Sequence, residues 1–218
     1  MIEALRVVAK TFRDLWDEMF NLVLMNLVTL VLIVLIVPGP PAWLALHAVA
    51  HRIANDYAIR WEHYFSAFRQ HFAKAWLYAL ASGTAIALIV LNFWWYGAAF
   101  GGQFWVQWVR GAWLAAALFW VVINFYIVPL YIEQTEKRWR IALRNALVVA
   151  GANPLFTLTL LAVGGLLMGV SLVFTPLFVF LGLSLWVLLS TEAVVNRVNA
   201  WRRRMGLVVD EETPSAEA

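Results

Sequence analysis

The 218-residue chain contains no cysteine, which excludes a disulfide framework, a thiolate metal site and a cysteine nucleophile, and leaves the redox compartment undetermined. Charge is also scarce. Only 13% of residues are charged and 63% are hydrophobic, whereas a soluble domain carries about a quarter charged residues and about half apolar ones. Such a chain cannot cover itself with a water-facing surface, and its apolar residues come in blocks long enough to cross a hydrocarbon core about 30 Å thick. Catalytic signatures are missing as well: there is no Gly-x-Ser-x-Gly, no His-Glu-x-x-His, no phosphate-cradling glycine loop and no aspartate cluster for a divalent ion. No enzyme activity and no cofactor are therefore expected. Carboxylates are nearly absent from the apolar blocks, Glu192 being the only one inside a clear span, which argues against proton-coupled transport. The connection 133–145 lacks the glycine-bearing coupling loop of an ABC permease subunit.

The blocks that are present predict an all-α fold, a polytopic transmembrane bundle of about six spans with short interfacial helices. Residues 1–18 carry Glu3, Arg6, Lys10, Arg13, Asp14, Asp17 and Glu18 ahead of any apolar run, so they do not read as a cleavable signal. Ile2, Leu5, Ala9, Phe12, Leu15, Trp16 and Met19 recur at helical spacing, as in an amphipathic helix lying in the headgroup layer. The six-span domain is expected over 19–196, with spans at 19–37, 41–59, 75–96, 111–131, 147–171 and 175–195. Pro38-Gly39-Pro40-Pro41 reads as a hairpin between the first two. Residues 61–72 and 133–145 read as interfacial helices, the latter with four-apart pairs Glu133–Lys137 and Glu136–Arg140. The stretch 197–218 is a basic, then acidic, cytoplasmic tail, and the part after Arg204 has nothing apolar enough to pack.

Topology follows from the basic residues. If 41–59 crosses, fifteen Lys and Arg residues lie on one side and Arg110 alone on the other; if it does not cross, the split is twelve against four. The positive-inside bias favours six spans with both termini cytoplasmic in the plasma membrane. The formal charge of +3 belongs to these flanks, and nucleic acid is not an expected partner.

Two groups of residues are candidates for function. His47, His51, Arg52, Asn55 and Asp56 form a polar seam on the second span, with His47, His51 and Asn55 on one helical face. Two imidazoles at this spacing could ligate a metal or a haem, but third and fourth ligands are missing nearby, and a seam facing other helices is the plainer reading. Arg52 either snorkels to the interface or pairs with Asp56. Trp94, Trp95, Tyr96, Trp105 and Trp108 crowd the one non-basic loop, expected outside, where they act as belt residues or as faces on which a sugar stacks. Gly164-Gly165 suggests close helix approach, and Gly101-Gly102 a flexible loop.

The layout resembles the YesL-like family of small bacterial membrane proteins. The resemblance rests on the proline-rich turn with its apolar start, Pro40-Pro41-Ala42-Trp43-Leu44-Ala45, then on Trp61, Phe65, Phe68 and Phe72 before Lys74-Ala75-Trp76, and it covers roughly 21–202. It implies an integral membrane protein without assigned chemistry, associated with carbohydrate uptake and glycan degradation, and it supplies no catalytic residue. The expectation is a non-enzymatic accessory or regulatory partner in carbohydrate uptake or envelope glycan metabolism. Its partners would be the bilayer and either a carbohydrate transport system or a second copy of the chain. The alternative is a small transporter or channel subunit with a pathway along His47, His51 and Asn55.

Overall fold

A backbone surrounded by lipid must satisfy its own hydrogen bonds, and a chain this apolar does so as helices. The computed structural model describes residues 2–207, and among them every regular element is helical. The acidic tail after Arg204 lies almost wholly outside the described residues. In order the elements are α1 (Ile2–Asp17), α2 (Met19–Val34), α3 (Gly39–Ala54), α4 (Trp61–Gln70), α5 (Phe72–Phe100), α6 (Phe104–Glu133), α7 (Trp139–Ala152), α8 (Pro154–Val173) and α9 (Thr175–Leu177). A π-helical turn at Phe178–Gly182 then leads into α10 (Leu183–Arg204).

Four stretches are long and apolar enough to cross a membrane: Phe72–Phe100, Phe104–Glu133, Pro154–Val173 and Thr175–Arg204. A fifth exists if α1 and α2, bent by 90° at their junction, count as one broken span. This fits a multi-pass membrane protein. It also differs from the predicted six, because α2 and α3 have sixteen residues each; at 1.5 Å per residue each spans about 24 Å, short of a hydrocarbon core of about 30 Å. The predicted second span ends early. Asn55 caps α3, and Asp56 takes a left-handed conformation at φ 56°, so 55–60 is not helical.

The fifth predicted span is also shortened. Glu133 is the last residue of α6, and Gln134 is extended, so 134–138 leave the helix and α7 runs into the region read as membrane-spanning until Asn153-Pro154 breaks it. With helical spacing lost, the expected pairs do not form: Glu136 meets Arg138 at 3.0 Å, and Glu133 turns to His51 and Arg202. The interfacial helix predicted at 61–72 is present as α4.

Most of the stripe expected to anchor α1 points outward: Ile2, Leu5, Phe12 and Trp16 are exposed, while Leu15 is buried and joins Ala4, Val7, Thr11 and Asp14 on the side that faces the bundle. An exposed apolar stripe suits the headgroup–acyl boundary. The interior is organised around α3, which buries Ala42, Leu44, Ala45, Leu46, Val49, Ala50 and Ile53, the last two turns of α6, and α10. By contrast α5 buries only Ala75 and Ser82, so nearly all of its surface is left for lipid.

The hairpin joining α2 to α3 has an apolar tip, with Val31 and Ile33 through Val37 exposed. Ile36 holds φ 63°, and Gly39 lets α3 start against α2, since a Cβ there would lie 3.2 Å from the Ile33 Cα. The tip does not stand apart: Trp76, four residues into α5, donates its indole N–H to the Val37 carbonyl at 3.0 Å.

Candidate functional site

The seam on α3 becomes part of a network of ion pairs where the C-terminal ends of α3, α6 and α10 meet. Helical spacing stacks His47, His51 and Asn55 on one face. His47 is buried, donates from Nδ1 to the Trp43 carbonyl at 3.0 Å, and packs edge-on to the Trp43 ring. A carbonyl only accepts, so Nδ1 carries the proton. His51 Nε2 lies 2.6 Å from Glu133 Oε2, Arg202 donates to Glu133 Oε1 at 2.7 Å, and the Asn55 amide donates to the His51 carbonyl at 2.8 Å. Arg52 and Asp56 do not join them. Arg52 donates twice to the Ala58 carbonyl and sits over the Tyr57 ring, because the helix that would have stacked it on Asp56 has already ended.

A second cluster lies where α1 crosses α10. Lys10 reaches Asp14 at 2.8 Å, Glu192 at 2.7 Å and the Ala54 carbonyl at 3.1 Å. Both carboxylates are almost fully buried, and Lys10 ties three helices together. Nearby, Glu3 pairs with Arg197, whose guanidinium lies 4.0 Å over the Phe156 ring; that charge holds the Glu3 carboxyl below the usual carboxylate range. Apart from Glu133, expected to pair with Lys137, and Glu192, sequence reasoning singled out none of these partners: Lys10 and Asp14 are one turn apart, but the pairs that join different helices through Glu133, Glu192 and Glu3 lie 69 to 194 residues apart along the chain.

A third group joins the connections on the same side. Trp139 stacks between Tyr131 and Tyr78, with ring centroids 3.9 Å and 4.6 Å away, and donates its indole N–H to the Lys74 carbonyl at 2.9 Å. Lys74 reaches the Lys137 carbonyl at 3.1 Å. Against this stack, His71 is buried 3.4 Å from the Tyr131 hydroxyl; its pKa is pushed down by burial first, then by the Lys137 and Lys74 charges.

The aromatic residues of the α5–α6 connection stand on helix ends rather than in a loop, because only 101–103 separate the two helices. Trp95, Tyr96 and Trp105 gather around Phe100 at centroid distances of 5.1 to 6.4 Å. Trp94 and Trp108 remain outside that cluster, 68% and 72% exposed. Arg110, the one basic residue at this end, folds back with its guanidinium 4.4 Å over the Phe93 ring.

Among the described residues, the clefts that open on the surface include three. One, of about 480 Å³, runs between α6, α7 and α10, with Arg197, Arg202, Arg204 and Glu133 beside Val148 and Trp201 in its walls. Another, of about 390 Å³, is walled by Trp43, Tyr78, Trp120, Trp186 and Asn124. The third, of about 340 Å³, is acidic, with Asp14, Asp17, Glu18 and Asp56. Neither His47 nor His51 lines any of the three. No group of three or more side chains able to hold a metal ion occurs among the described residues. Compared with protein-family models, curated proteins and solved structures, the chain matches none.

Proposed function

We propose that this chain is a non-enzymatic, multi-pass protein of the plasma membrane that serves as an accessory or regulatory partner. The setting of carbohydrate uptake or envelope glycan metabolism follows from the resemblance to YesL-like proteins. The observation that carries the reading is how the seam is used: His51 is engaged by Glu133, whose second oxygen is held by Arg202. Ionisable groups that line a pathway face water or an exchangeable ion, whereas these hold α3, α6 and α10 together.

Proteoliposomes containing the full chain and loaded with labelled mono- and disaccharides test it. The expected flux is that of empty vesicles; flux that disappears in His51→Ala would establish the transporter reading instead. The partner is sought by photocrosslinking in cells from position 108. An adduct with a component of carbohydrate uptake supports the accessory role, and adducts of the chain with itself alone support self-association.

For topology, six spans and four spans plus a hairpin that returns on its own side put the same fifteen basic residues on one face and Arg110 on the other. Both place the two termini in the cytoplasm. The contact between Trp76 and Val37 supports the second arrangement, because six spans would set the hairpin tip on the outer side and the start of α5 on the inner side.

A further inference from the structure

We infer that the cleft between α6, α7 and α10 binds the phosphate headgroup of an anionic phospholipid, with an acyl chain along its apolar wall. The cleft holds about 480 Å³, and its walls divide by chemistry. Arg197, Arg202 and Arg204 stand at the end of α10, against Glu133 as the one carboxylate in the lining; Leu130, Val148 and Val149 cover the other side. Two of the guanidiniums already have carboxylate partners, Glu3 for Arg197 and Glu133 for Arg202. A guanidinium carries five N–H donors in a fixed fork; Arg197, largely buried, also donates to Asn196, whereas Arg202, which meets Asn199 as well, is more exposed and keeps donors for a further anion. Arg204 forms no short ion pair among the described residues.

The apolar wall selects a lipid over a soluble phosphate. Val148 is 63% exposed, and the apolar surface continues outward through Leu147 and Leu155, so a molecule whose phosphate meets the arginines lays its tail on a surface that already faces acyl chains. Basic pockets between helices on the cytoplasmic side recognise lipid headgroups in this way. The charge asymmetry of the chain puts the end of α10 on that side. This inference does not depend on the accessory role and stands or falls separately.

The test uses the full chain, purified and delipidated, then incubated with equal amounts of phosphatidylglycerol and phosphatidylcholine and examined by native mass spectrometry. The parent should retain phosphatidylglycerol preferentially. The preference should fall about fivefold for each guanidinium removed, and so roughly twenty-five-fold in Arg202→Gln/Arg204→Gln. Arg69→Gln, on α4 and outside the cleft, should leave it unchanged. If the double variant fails to fold, Arg204→Gln alone must still show the fivefold loss. Equal retention of the two lipids by the parent, or an undiminished preference in Arg204→Gln, would overturn the inference. So would displacement of the lipid by glycerol 3-phosphate at equal concentration, which would assign the site to a soluble phosphate.

Discussion

Glu133 illustrates how single residues hold this bundle. It accepts from His51 and from Arg202 while its own side chain is only 14% exposed, and bonds to ionised groups contribute more than neutral ones. Glu133→Gln should therefore cost about 1–3 kcal/mol, read from thermal unfolding in detergent. Lys10→Met should cost more, about 3–5 kcal/mol, because it leaves Glu192 buried without a cation beside Asp14, which keeps only the exposed Arg13. His71 gives a pH dependence with a definite sign. Its pKa in the folded protein lies below the usual 6.5, so the unfolded chain binds the proton first. Stability should be full above about pH 6.5 and decline as pH falls toward the lowered value. His71→Asn should flatten the difference in melting temperature between pH 7.5 and pH 5.5, and an unchanged slope would assign the acid sensitivity elsewhere.

Helices here meet through small residues, and one neighbouring pair shows how local the requirement is. A Cβ on Gly164 would lie 3.0 Å from Leu189 and 3.2 Å from Trp186 of α10, whereas one on Gly165 meets nothing within 4 Å. Gly164→Leu should force α8 away from α10 and cost about 1–3 kcal/mol, while Gly165→Leu should stay within about 0.5 kcal/mol. Equal melting temperatures for the two variants would deny the close approach. The pair Gly164-Gly165 marked close approach from the sequence, but the rotation of α8 decides which of the two makes it. Gly101-Gly102 read as a flexible loop from the sequence, but Gly101 is constrained, since a Cβ there would run into the Gly97 carbonyl, and of the two only Gly102 has open space around it.

For the molecule as a whole, the open question of topology reduces to where one hairpin tip lies. Single cysteines are introduced without background, since the chain has none. Val37, Ser66, Gly102 and Thr135 are exposed positions that suit the experiment. In the hairpin arrangement Gly102→Cys labels from outside intact cells, and Val37→Cys does not, alongside Ser66→Cys and Thr135→Cys. Labelling of Val37→Cys from outside would establish six spans and require the contact with Trp76 to be absent in the bilayer. At about 43–45 Å, α5 and α6 exceed the hydrocarbon thickness, a length that suits the belt reading of the tryptophans where the two helices join.

The sequence by itself determined that the chain is helical and membrane-embedded, because hydropathy and the demand for internal hydrogen bonding act residue by residue and need no knowledge of neighbours. It also determined the charge asymmetry, α4, and the apolar stripe of α1. Tertiary structure decided which way that stripe faces, where α3 and α6 end, and the partners of His51, Lys10 and Arg197. Pairing between side chains tens to hundreds of residues apart depends on how helices dock, which leaves no periodic trace in the chain. The count of spans lies between the two. Fifteen basic residues on one side are compatible with a hairpin that crosses and with one that turns back, so the choice depends on tertiary contacts such as that between α5 and the tip.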